Sequence, residues 1–114
     1  ITSTLMGVGP VLAGARSVGR RHGVPVSVRG SAGGVLYASM PSDTEPQLVA
    51  LVLEAMRTVA ATYDGTVVVL TAPAETRRGL DVWGPVAGLD LMRRLKDQLD
   101  PDHRLSPGRF VGGI

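Results

Sequence analysis

Among the side chains able to do acid–base or nucleophilic chemistry, one group brings an acid, an imidazole and a hydroxyl together in a short run near the end of the chain. Asp100, Asp102, His103 and Ser106 supply the residue types of a nucleophilic triad, yet they share a single loop bounded by Pro101 and Pro107. Groups so close along the chain rarely reach triad geometry, so His103 reads as a turn residue rather than a base. The other histidine, His22, falls at the end of a predicted helix, where an imidazole serves the dipole and the last carbonyls. The chain has no cysteine, so disulfides, thiolate nucleophiles and cysteine-ligated metals are excluded. No catalytic and no metal-ligating residue is expected.

Two glycine-rich runs raise the question of phosphate binding. Gly30-Ser-Ala-Gly-Gly34 follows a predicted strand, but a phosphate cradle must open a helix, and here a second strand follows. A hairpin turn is the better reading. Gly7-Val-Gly9 does open a predicted helix, yet Leu12 stands where the third glycine of the dinucleotide fingerprint belongs. Trp83, the only tryptophan, sits in a connector as either a core anchor or an interface residue.

Composition sets the frame for these residues. With 44% hydrophobic and 19% charged residues, the 114-residue chain reads as one globular domain, and no apolar run approaches the roughly 20 residues of a membrane span. The formal charge of +2 is too small to imply a nucleic-acid field. Stacking RNA bases on a sheet would need aromatics on its central strands, where only Tyr37 occurs. Arg16, Arg20, Arg21 and Arg29 all precede the first acidic residue, Asp43, which makes the first third cationic. That third is either a solvated helix face or a patch for an acidic partner. Beginning at Ile1, with no leader pattern, the chain reads as part of a longer protein.

The elements that must position these residues follow from periodicity. Apolar residues at helical spacing after Gly9-Pro10 predict a helix over 10–22, stopped by Gly23. Val24–Val28 and Val35–Met40 predict an antiparallel hairpin. A long helix is predicted over 44–63, and its apolar arc of about 200° is wider than packing on one sheet face requires. On this pattern Leu51 and Ala55 face the core, while Val49, Leu53, Met56 and Ala60 form an accessible docking flank. Thr66–Thr71 predicts a strand that is either central and buried on both faces or packed against a partner, 72–86 a connector without regular period, and 87–99 a helix carrying the i,i+4 pairs Asp90–Arg94 and Arg93–Asp97. The order is α+β: a ferredoxin-like antiparallel sheet with helices on one face and an extra C-terminal helix and tail. Its first strand is either a remnant at Ile1–Thr4 or missing. A sheet edge left open in this way predicts self-association as a symmetric dimer.

The terminal segment Leu99-Asp-Pro-Asp-His-Arg-Leu-Ser-Pro-Gly-Arg-Phe110, with Asp81-Val-Trp-Gly-Pro85 and Leu91-Met-Arg-Arg-Leu-Lys96 before it, resembles the C-terminal part of FAD-linked oxidases of the vanillyl-alcohol oxidase type. It is most similar to the FAD-binding subunit of bacterial glycolate oxidase. The resemblance implies a cap domain of ferredoxin-like fold whose parent oxidises a small 2-hydroxy acid with FAD. The chain alone would be inactive and free of cofactor. Its partners would be its own FAD-binding domain and other oxidase subunits, in the cytoplasm or held at a membrane through those subunits. Ser106, which replaces the family's asparagine, and Arg109 would face the flavin domain, with Trp83, Val49, Leu53 and Met56 at the interface. Members with a metal-assisted site carry histidines on the hairpin and before the last helix. Here those segments read Arg29-Gly-Ser-Ala-Gly-Gly-Val-Leu-Tyr37 and Asp81-Val-Trp-Gly-Pro85, without an imidazole.

Overall fold

A proline and a glycine bracket the first helix, α1, Val8–His22: Pro10 lies in its first turn, and Gly23, at φ 67°, ends it by donating its amide to Arg20 and Gly19 carbonyls. The structure is a computed structural model describing residues 1–114. The chain divides into two units, Ile1–Gly84 and Pro85–Ile114, where composition suggests one domain.

In the first unit, β1 (Ser27–Gly30) pairs antiparallel with β2 (Leu36–Ser39), Val28 facing Ala38 and Gly30 facing Leu36. The glycine-rich run joins them as a turn. The predicted first strand is present as a remnant. Thr2 bridges Val35 in antiparallel sense, Ile1 and Leu36 exchange N–H···O bonds of 2.8 Å, and the Ser3 amide donates to Gly34 at 2.9 Å. On its other side the Thr2 amide donates to the Thr66 carbonyl at 2.8 Å, and the Thr66 amide donates to Thr2 Oγ1 at 3.1 Å. The lateral order is therefore β1, β2, Ile1–Ser3, Thr66, the ferredoxin-like order with its first strand cut short. Thr66–Thr71 is not a regular strand, in contrast to expectation. Beyond Thr66 its one further backbone bond runs from the Val69 amide to the Val82 carbonyl at 2.8 Å.

The long helix α2 spans Pro46–Ala61, with proline at its start, and packs against α1. The core joins Ala15 and Val18 of α1, Val24, Val67, and Val52, Leu53, Met56 and Ala60 of α2. This corrects the docking-flank expectation. Leu53 and Met56 are each only 4% exposed and Val49 is half-buried, whereas Leu51 is 54% exposed. The buried part of the arc packs against α1 and joins Val67 in the core, while Leu51 stays exposed. The apparent centre of the arc was displaced because a charged residue, Arg57, lies inside the buried stripe. The connector also holds a short helix, α3, Ala74–Arg78.

In the second unit, α4 spans Leu89–Leu99 and has no buried residue, with Leu91, Leu95 and Leu99 more than half exposed. Neither expected i,i+4 pair forms. Arg93 reaches Asp90, one turn back at 3.4 Å, and Asp97 meets His103 Nε2 at 3.3 Å.

Candidate functional site

Three features gather the residues singled out by the sequence. The first is the turn Asp81–Gly84. The Asp81 carboxylate accepts the amides of Trp83 at 3.1 Å and Gly84 at 3.0 Å, which is the local bonding that favours aspartate at the start of a turn. Gly84 sits at φ 72°, and a Cβ there would lie 2.8 Å from Arg57 Nε, so both its conformation and its neighbour require glycine. Arg57, 9% exposed, donates to the Asp81 carbonyl at 2.6 Å, to Glu54 Oε1 at 2.6 Å and to the Val67 carbonyl at 3.4 Å. A buried guanidinium thus clamps α2 to the turn that carries Trp83. Sequence reasoning missed Arg57. An arginine at a core position of an apolar helix is the one signal that could have found it.

The second feature is a knot around Asp100. Its carboxylate meets Lys96 Nζ at 2.6 Å and accepts the amides of Arg104 at 3.0 Å and Leu105 at 2.9 Å. The hydrogen bond from Lys96, then that from the Leu105 amide, hold its carboxyl well below the ordinary range, at about 2. Lys96 Nζ also donates to the Leu105 carbonyl at 2.7 Å. Asp100 therefore shapes the tail, while His103 turns to Asp97, and the triad types do not converge. His103 and Ser106 adopt left-handed backbone, at φ 49° and 46°, as turn residues do. Ser106 and Arg109 are both exposed, with the Arg109 amide donating to the Ser106 carbonyl at 3.2 Å.

The third feature is an apolar groove of about 840 Å³ in the first unit, between β2 and the run Thr66–Pro73. Val49, Leu53 and Met56 line it from α2, so three residues expected at an outer interface line an internal groove instead.

No set of three His, Cys, Asp or Glu side chains converges as metal ligands. The glycines do not fit a flavin cradle within this chain. Gly30–Gly34 joins two strands, and Gly7, at the start of α1, is occupied by packing, because a Cβ there would lie 2.6 Å from Tyr63 Cβ. No helix is long and apolar enough to cross a membrane. Comparison with protein-family profiles, curated proteins and solved structures gave no match to this chain.

Proposed function

We propose that this chain is the cap domain of an FAD-dependent oxidoreductase acting on a small 2-hydroxy acid such as glycolate, with a packing and docking role. The observation that carries this reading is the terminal segment Leu99–Phe110, whose likeness to the glycolate oxidase FAD-binding subunit has a physical counterpart. Asp100 of the Leu-Asp-Pro run organises the turn that exposes Ser106 and Arg109. The ferredoxin-like sheet order supports the reading as well. FAD would be held by a separate flavin domain, and Ser106 and Arg109 would meet that domain from the tail. Trp83, fixed by the Asp81 turn, is the second contact. Other oxidase subunits would complete the assembly in the cytoplasm, or at a membrane through those subunits.

The test uses the polypeptide that carries this sequence in the cell. Purified, it should hold FAD and reduce an artificial electron acceptor when glycolate or a related 2-hydroxy acid is added. Absence of flavin, or unchanged turnover in a form lacking this domain, overturns the proposal. The apolar groove favours one other reading, a free-standing small-effector-binding or dimerisation module of the same fold. That reading requires a flavin-free native protein.

A further inference from the structure

We propose that the recess at the carboxy-terminal end of α1, rimmed by Arg16 and Arg20, docks an acidic protein segment through its carboxylates. The inference stands on α1 and the chain leaving it, and does not depend on the flavin reading. Among α1–α4, α1 alone has no acidic residue, since Glu54 lies in α2, Glu75 in α3, and Asp90 and Asp97 in α4. Its arginines take no part in the ion pairs of the molecule, which join Arg57 to Glu54, Arg93 to Asp90, Lys96 to Asp100 and His103 to Asp97.

Arg16 and Arg20 stand four residues apart, so their side chains rise from one face of the helix, and both are exposed. Like charges at this spacing repel, a cost that no carboxylate on the helix relieves. The helix dipole accounts for Arg20, Arg21 and His22 in the last turn, but Arg16 lies further back than the turn over which the dipole acts. The final carbonyls have their donors already, because those of Gly19 and Arg20 accept the amides of Val24 and Gly23 at 2.9 and 3.3 Å. Both guanidinium forks are therefore available to a ligand.

Between the two arginines and the outgoing chain lies a recess of about 370 Å³, floored by Gly19, Gly23, Pro25 and Val26. An aliphatic floor beside two planar forks suits a Glu or Asp side chain, whose stem is covered while its carboxylate is held bidentately. On the same stripe, one and two turns before Arg16, Ala13 and Gly9 are exposed and leave the helix flat enough for a peptide backbone to lie along it. Nucleic acid and lipid fit this face less well. Val28 packs against the core, so Arg29 beside it projects from the other face of the sheet and adds nothing here. The site is too short to follow a phosphate backbone, and α1 exposes no large apolar side chain to stack on a base or enter a bilayer.

The test adds a blocked peptide, Gly-Glu-Val-Glu-Val-Gly, to the isotope-labelled chain and follows its amide and arginine Nε signals by NMR. Signals of Arg16, Arg20, Gly23 and Val26 should shift saturably, and the same peptide with glutamine for glutamate should leave them unmoved. Arg16→Gln and Arg20→Gln should each weaken binding about tenfold or more. Both should keep the melting temperature, because the side chains are exposed, and Arg29→Gln should bind as the unsubstituted chain does. Undiminished binding by Arg16→Gln and Arg20→Gln overturns the proposal. So does an equal response to inorganic phosphate, which would make the recess a bare anion site. Shifts produced instead by phosphatidylserine vesicles, by a single-stranded oligonucleotide, or only by concentrating the chain itself also overturn it, assigning the face to a membrane, a nucleic acid or a second copy.

Discussion

At the scale of single residues, two charged side chains hold backbone that hydrophobic patterning leaves unspecified. Arg57 satisfies the Val67 and Asp81 carbonyls from inside the core, while its ion-pair partner Glu54 is 68% exposed. The carbonyls, rather than the ion pair, should therefore carry its contribution. Arg57→Met should cost about 2–4 kcal/mol in urea unfolding, because polar groups lose their donor. Glu54→Gln should cost less than about 0.5 kcal/mol. An unchanged urea midpoint for Arg57→Met would show the clamp to be idle. Asp100 makes a pH prediction. Its folded carboxyl, near 2, binds a proton less readily than the ordinary carboxyl at 3.8. Its stabilisation is therefore full above about pH 4 and is lost as pH falls toward 2. Amide exchange at Arg104 and Leu105 should rise across that window. Asp100→Asn should flatten the rise, and identical profiles would dismiss the knot.

At the scale of elements, α1 and α2 approach closely where Gly14 faces Val59. A Cβ on Gly14 would lie 2.5 Å from Val59 Cγ1. Gly14→Ala should then cost about 1–3 kcal/mol by overpacking, despite its better helix propensity. Adding Val59→Ala should recover part of that loss, and strict additivity in the double-mutant cycle would rule out the contact. On α2, Leu53→Ala should cost about 2–5 kcal/mol and Leu51→Ala less than about 0.5, measured by chemical denaturation. Equal costs would restore the face first read from periodicity. Helix α1, its Gly23 stop, the hairpin and α2 were all legible because local chemistry decides them: proline near a start, glycine past an end, apolar spacing between. The buried side of α2 was not. It depends on Arg57, whose charge argues for solvent until two carbonyls from distant segments are seen to receive it. The Thr66–Thr71 run likewise depends on distant segments. Its composition is that of a strand, but a strand is defined by neighbours, and within the run only Thr66 and Val69 find backbone partners. The tail residues Ser106 and Arg109 rest on resemblance, while the part played by Asp100 in bending the chain lies in its bonds to the Arg104 and Leu105 amides, which no spacing announces.

For the molecule as a whole, the division at Gly84 has a consequence for folding. Every residue of the main core cluster lies between Ala15 and Val67, and the Arg57 clamp closes on Asp81, so residues 1–84 hold a complete core of their own. Produced alone, residues 1–84 should keep helical circular dichroism and a cooperative melt. A non-cooperative melt would mean that the terminal unit is required for the core. The bonding of Ile1–Ser3 also sets how this segment bears load. Ile1–Ser3 is bonded to β2 on one side, and Thr2 to Thr66 on the other, with the bonds lying across the strand axis. A pull on Ile1 along that axis would strain these bonds together, in shear, rather than peel them one at a time. Tension arriving from the amino-terminal side would therefore be shared by both flanks of the sheet before it reached α1.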